Sequence, residues 1–86
     1  MYTVYILYSS KLDKYYIGFS ADVNDRLLRH NRGKMGFTSL GKPWVIVYTE
    51  AFQSKKLAME REKQLKNWKN RDRLISIIKP GSEHPD

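Results

Sequence analysis

Residues 2–20, YTVYILYSSKLDKYYIGFS, decide the fold because they hold two strand-like segments separated by one polar loop. Aromatic and β-branched residues dominate Tyr2–Tyr8 and Tyr15–Ser20, a composition typical of β-strands. The polar stretch between the two segments contains Asp13 and fits a hairpin loop slightly longer than the tightest types. These residues therefore predict an antiparallel β-hairpin.

The alternation of side chains along a strand gives this hairpin two distinct faces. The more uniformly apolar set of side chains on each strand is expected to face the core. Bringing these two sets onto one face of the hairpin requires a register with pairs such as Tyr8 opposite Tyr15. Tyr5 and Tyr16 then share the second face within aromatic reach, beside the bare backbone of Gly18. A pair of packed tyrosines with solvated hydroxyls is the alternative to a functional pair.

Downstream of the hairpin, the chain predicts three helices and one further strand. Apolar periodicity predicts a helix over 23–32, a strand over Trp44–Glu50, and helices over 55–68 and 71–79. Asp22, Ser54 and Asn70 are the candidate N-caps, and Gly33 is the expected C′ residue of the first helix. The order β-β-α-β-α-α predicts an α+β domain with a three-stranded, mostly antiparallel sheet flanked by helices.

Length and composition restrict the classes of protein. The 86 residues allow one domain, which we place at residues 1–79, followed by a flexible tail over residues 80–86. The absence of cysteine excludes disulfide frameworks, thiolate zinc sites and cysteine nucleophiles. No stretch approaches the ~18 apolar residues of a membrane span, and no targeting segment is visible, so we expect a cytoplasmic protein.

The net charge of +7 is the most informative figure in the composition. Residues 26–42 hold five basic and no acidic residues, and residues 55–79 hold nine basic and three acidic ones. Such blocks predict a polyanionic partner, with nucleic acid ahead of an anionic membrane. Membrane binding ranks last because no helix pairs a broad apolar face with exposed aromatic residues and a basic face. Solvated helix faces are the simpler alternative.

On the first helix, Arg26 and His30 are four residues apart and share a face. They border the apolar stripe of Val23 and Leu27, which is expected to face the sheet. A guanidinium suits bidentate phosphate binding, and histidine exchanges protons near neutral pH. A core or surface role is the alternative for His30.

On the helix over 55–68, Glu62 stands among basic residues. The buried side of this helix is predicted to comprise Leu57, Leu65 and Trp68. An ordinary ion pair between Glu62 and Lys66 would explain the carboxylate. The functional alternative is a single carboxylate that holds a hard divalent cation such as Mg²⁺. Glu60 falls on the opposite edge of the helix.

With these residues in place, the chain resembles a GIY-YIG nuclease domain over residues 2–78, and it looks most like the small single-domain bacterial members, the UPF0213-like proteins. The matching motifs are TVYIL with Tyr5, the triplet Tyr16-Ile17-Gly18, DRLLRHNRG with Arg26 and His30, and AMEREKQLK with the family glutamate. The family pattern A-x-x-x-E-x-x-x-K assigns that glutamate to Glu62 in preference to Glu60. The first motif departs from the family, since Thr3-Val4 replaces Gly-Ile.

The resemblance implies an endonuclease that hydrolyses DNA, in preference to RNA, with one divalent ion, Mg²⁺ or Mn²⁺. In that scheme Glu62 holds the ion and Arg26 stabilises the charged phosphate. A base near Tyr5, Tyr16 and His30 deprotonates the attacking water, and family members differ in which group serves. We favour His30, because an unperturbed tyrosine has a pKa near 10.

Four more basic residues are expected to contact phosphates: Arg29, Arg32, Lys34 and Lys66. No separate recognition domain fits in the chain, so we expect low intrinsic sequence specificity and strongly salt-dependent binding. Target selection would then come from nucleic-acid shape or from a protein partner, and DNA repair or recombination is the expected setting. The alternative function is a non-catalytic or partner-dependent nucleic-acid-binding module on the same fold.

Overall fold

A computed structural model of the chain describes residues 1–32 and 40–78. Its strands are β1 (Tyr2–Ser9), β2 (Lys14–Ser20) and β3 (Trp44–Phe52), and its helices are α1 (Val23–Arg32), α2 (Lys55–Asn67) and α3 (Arg71–Ile78). The predicted α+β class and the order β-β-α-β-α-α are confirmed for the described ranges. Gly33, Lys34, Lys79 and the proposed tail over residues 80–86 lie outside them.

The sheet has the strand order β2-β1-β3 and is antiparallel throughout. The predicted hairpin register is confirmed, since Tyr8 pairs with Tyr15 and Tyr5 pairs with Gly18. The pairing of β1 with β3 shifts register between Ile6 and Leu7. Such a shift is a β-bulge, which bends the strand and increases its local twist.

Side-chain caps begin all three of these helices, as the sequence predicts. Each cap oxygen accepts a hydrogen bond from the backbone N–H three residues later, at 3.0, 3.1 and 3.1 Å for Asp22, Ser54 and Asn70. A cap of this kind typically contributes about 1 kcal/mol to helix stability. The caps therefore fix where α1 and α2 start relative to the sheet.

The central strand β1 is buried on both of its faces. Val4 and Ile6 pack against a cluster from α2 and α3 that includes Leu65. Tyr5 and Leu7 point the other way and belong to a second cluster, in which side chains of α1 take part. The sequence predicts one core face, whereas β1 has two. A strand that lies between helices buries both sets of its alternating side chains.

The buried side of α2 differs from the prediction at Leu57, which is 49% exposed. Ala58 and Leu65 are the buried residues of this helix, while Trp68, its C-cap, is half-buried. Leu57 lies about 80° from Leu65 around the helix axis, so it falls off a stripe that includes Ala58. The small side chain of Ala58 lets α2 approach the sheet at that point.

No helix in the described ranges is long and apolar enough to cross a membrane.

Candidate active site

An open cleft of about 490 Å³ lies on the Tyr5 face of the hairpin, between the start of α1 and the side of α2. Five of the residues that the sequence singles out line it: Tyr5, Tyr16, Gly18, Arg26 and Glu62. They come from four different elements, so only the folded chain brings them together. The cleft thus combines a carboxylate, a guanidinium and two phenols on one concave surface.

Gly18 leaves the space that the Tyr5 ring occupies beside β2. Tyr5 is paired with Gly18 across the hairpin and is only 1% exposed. A β-carbon at position 18 would lie 2.6 Å from the Tyr5 hydroxyl oxygen and 2.8 Å from the ring carbon that bears it. Real β-carbons do not approach other heavy atoms so closely, so the position of Tyr5 depends on this glycine.

Tyr16 connects the cleft to the buried part of α1. Its ring meets His30 edge-on, with the centroids 4.5 Å apart, and meets Trp44 in the same way at 6.2 Å. Tyr5 also approaches His30, at 6.4 Å between centroids. These edge-to-face contacts fix the orientation of the tyrosine pair relative to α1.

His30 lies behind the two tyrosines and does not line the cleft. It is 9% exposed, and its buried Nε2 atom forms no hydrogen bond with any described residue. Burial lowers the pKa of His30, and the nearby positive charge of Arg26 lowers this pKa further. Both effects disfavour the imidazolium form, so the ring is held neutral near pH 7.

Tyr5 is held in its protonated form. Burial raises the pKa of Tyr5 to about 12, with further upward contributions from Tyr16 and Glu62 and a downward one from Arg26. The opposite effects of Arg26 and Glu62 indicate that both charges lie within electrostatic reach of the Tyr5 hydroxyl. At neutral pH this hydroxyl can therefore donate a hydrogen bond, and its raised pKa disfavours a role as a base.

Glu62 faces the cleft from α2, whereas Glu60 is exposed on another side of the same helix. The Glu62 side chain is 21% exposed, and its Oε2 atom lies 3.5 Å from the Lys66 ammonium. No described residue donates a hydrogen bond to either Glu62 oxygen within 3.5 Å with good geometry. The structure thus has the predicted ion pair and also a carboxylate open to the cleft.

This donor set fits a hard divalent cation. No group of three or more carboxylate or imidazole side chains converges within residues 1–32 and 40–78. Mg²⁺ does not need such a group, because it is commonly bound by one or two carboxylates and completes its coordination with water and phosphate oxygens. Glu62 is the residue that would hold the ion.

Three of the four predicted phosphate contacts lie outside the cleft lining: Arg29, Arg32 and Lys66. Arg29 is exposed and paired with Asp25 at 3.0 Å, and Arg32 is exposed at the end of α1. Lys66 is paired with Glu62, as described above. Lys34 falls outside the described residues.

Lys55 is a cleft residue that sequence reasoning missed. It lines the cleft together with Asp22, which also caps α1. Lys55 precedes Glu62 by seven residues, and residues seven apart share one face of a helix. This spacing could have placed a second cation beside the carboxylate.

Comparison with known proteins shows the family of the chain. Residues 1–75 match the family described as the GIY-YIG catalytic domain. The chain belongs to the GIY-YIG family. That family is one of nucleases that generally use a divalent metal ion, and the domain indicates nucleic-acid binding.

The chain is similar to relatives named UPF0213 proteins, and this similarity confirms the resemblance predicted from the sequence. One from Staphylococcus haemolyticus is 38% identical over 75 residues, which cover 86% of this chain and 90% of the relative. One from Staphylococcus epidermidis is 35% identical over 63 residues, which cover 72% and 77%. The solution NMR structure of a UPF0213 protein from Bacillus halodurans aligns with a TM-score of 0.59 and 32% identity, covering 96% of this chain and 90% of that one.

Proposed function

We propose that this protein is a metal-dependent endonuclease that hydrolyses phosphodiester bonds of DNA in the Tyr5 cleft. The observation that carries the proposal is the meeting of Glu62, Arg26 and the tyrosine pair in that cleft. Phosphoryl transfer needs groups that orient the phosphate and neutralise its developing charge, and these side chains supply both.

Arg26 and Tyr5 act on the scissile phosphate in this proposal. The guanidinium of Arg26 donates parallel hydrogen bonds to two non-bridging oxygens, a geometry that lysine cannot reproduce. The Tyr5 hydroxyl stays protonated and donates to the phosphate or to the attacking water. The carboxylate of Glu62 holds the divalent ion, which when bound supplies Lewis-acid stabilisation of negative charge on the phosphate.

His30 is the proposed proton acceptor, with Tyr16 between it and the cleft. The Nε2 atom of neutral His30 has no hydrogen-bond partner among the described residues, but this atom is buried, whereas Tyr16 touches both the His30 ring and the cleft. Relaying the proton of the attacking water through the Tyr16 hydroxyl to Nε2 requires this hydroxyl to hydrogen-bond to Nε2 in the substrate complex, because no described residue bonds to that atom in this structure. The bond from phosphorus to the 3′-oxygen breaks, the 3′-oxygen takes a proton from solvent, and the products carry a 5′-phosphate and a 3′-hydroxyl.

Metal removal is the direct test. We expect purified protein to cut single-stranded, duplex or branched DNA in Mg²⁺ or Mn²⁺, and to lose this activity in excess EDTA. End-labelled substrates resolved on denaturing gels will identify the 5′-phosphate product, and matched RNA substrates will measure the preference for DNA. Salt-dependent binding without cleavage of any substrate would favour the non-catalytic module, and cleavage that persists in EDTA would exclude the metal-dependent scheme.

The pH dependence of cleavage tests the role of His30. The accepting form is the neutral ring, so kcat/KM should rise with pH and reach a plateau once His30 is deprotonated. Because the pKa of His30 is lowered, the midpoint of this rise should lie below the ordinary histidine value of about 6.5. A His30→Gln variant should cleave much more slowly, and its kcat/KM should no longer rise with pH over this acidic range.

Tyr16→Phe serves as the companion variant for the proposed proton route. It should lower the rate while leaving the protein folded, because the ring contacts with His30 and Trp44 remain. Thermal melting of both variants separates a catalytic loss from unfolding. An unchanged rise of kcat/KM over the acidic range in His30→Gln would show that another group accepts the proton.

A further inference from the structure

A second concave surface lies next to the cleft. This junction groove, of about 510 Å³, runs between β2 and the connection from α2 to α3. Four basic side chains and one acidic side chain stand along it: Lys14, Lys66, Lys69, Arg71 and Asp13. The groove therefore presents a net positive surface that the proposed cleavage chemistry does not use.

The junction groove adjoins the cleft. Tyr16 lines both concavities. Lys66 lines the groove, and its ammonium lies 3.5 Å from Glu62, which lines the cleft. A strand whose phosphate lies beside Glu62 can thus continue past Tyr16 and Lys66 into the groove.

Two of the groove's cations are available to a ligand. Arg71 is held by Asp13 through a hydrogen bond of 3.1 Å and through its contact over the Tyr15 ring. Lys14 and Lys69 are exposed, and neither forms an ion pair with a described residue. Their ammonium groups can therefore contact phosphates without breaking an existing pair.

Lys69 occupies a backbone position that ordinarily takes glycine. It follows the C-cap residue of α2 with a φ of 51°, in the left-handed region. Glycine adopts this conformation most readily and is the usual residue just past a helix end. A Lys69→Gly substitution therefore removes the charge without straining the fold.

We propose that the junction groove binds the phosphate backbone of a single-stranded DNA segment that is continuous with the strand in the cleft. The inference rests on the proposed function in one respect, because it requires that the cleft binds a nucleic-acid strand. Lys14 and Lys69 provide the phosphate contacts, and Tyr16 lies at the boundary between the two sites. Basic grooves lined with aromatic side chains are typical of surfaces that follow a single strand.

The test is a length-dependent binding measurement with the Lys14→Gln/Lys69→Gly variant. Oligonucleotides of about 4 and about 12 nucleotides are titrated in EDTA, which prevents cutting. For the longer strand, two lost phosphate contacts should lower the affinity roughly 20-fold near 0.1 M salt and reduce the log–log salt slope by about 1.4. The short strand, which the cleft alone can hold, should bind the variant and the original protein equally.

The matched control is Lys56→Gln/Lys63→Gln, which removes two exposed charges from another surface of α2. It should leave both affinities close to those of the original protein. Equal weakening of both lengths, or equal weakening by the control, would overturn the proposal, because either result indicates a general charge effect. Weakened binding of duplex DNA with unchanged single-strand binding would also overturn it.

Cleavage measured in parallel separates this inference from the proposed function. If the original protein cuts no DNA in Mg²⁺ but the length-dependent loss is observed, the groove is supported and the nuclease function fails. If DNA is cut and the groove variant binds long strands normally, the nuclease function stands and the groove proposal fails. Melting curves should confirm that the groove variant is folded.

Discussion

Replacing Glu62 with glutamine is expected to lower DNA cleavage in Mg²⁺ by about 10²–10³-fold. Glutamine keeps the size of the side chain but removes the negative charge that would hold the ion beside Arg26 and Tyr5. The fold should be nearly unaffected, because the lost ion pair with Lys66 is half-exposed and such helix pairs contribute only a few tenths of a kcal/mol. Initial cleavage rates at several Mg²⁺ concentrations provide the measurement.

Glu60→Gln is the matched control for this variant. It changes the same chemical group on the same helix, two residues earlier, outside the cleft. Its cleavage rate should equal that of the original protein. If Glu62→Gln cleaves at the original rate, or if Glu60→Gln loses activity instead, the assignment of the metal-binding carboxylate is wrong.

Much of the architecture could be predicted because it depends on local rules. The pairing of Tyr5 with Gly18 follows from matching two alternating patterns, and a shift of one residue would have exposed the apolar set. The caps at Asp22 and Ser54 follow from side-chain chemistry at helix starts. The placement of Glu62 in the cleft follows from its angle on an amphipathic helix.

The remainder could not be predicted because it depends on how the elements pack against each other. A 10-residue helix pattern says that Arg26 and His30 share a face, but not that Arg26 reaches the cleft while His30 is enclosed behind Tyr16. Likewise, the exposure of Leu57 depends on the rotation of α2 about its axis. The sequence pattern leaves that rotation uncertain by the angle between successive residues of a helix, about 100°.

Gly18→Ala is expected to lower both the stability of the fold and the rate of cleavage. The new β-carbon would stand 2.6 Å from the Tyr5 hydroxyl oxygen, and the buried ring cannot move aside without disturbing its neighbours. Overpacking of this kind costs about 1–3 kcal/mol of stability. Displacing a phosphate-orienting group by about 1 Å can lower the rate roughly 10²-fold.

A double-mutant cycle with Tyr5→Ala shows whether the damage passes through Tyr5. When the Tyr5 ring is absent, the three atoms that the added methyl group would meet most closely are gone, so Gly18→Ala should cost much less stability and should not lower the residual cleavage further. The original protein, the two single variants and the double variant are compared. Thermal melting gives the coupling energy between the two positions in stability, and single-turnover cleavage gives their coupling energy in the reaction rate. Additive effects would mean that Gly18 is required for a reason other than the position of Tyr5. The proposal that this glycine positions Tyr5 for its hydrogen bond to the phosphate would then be wrong.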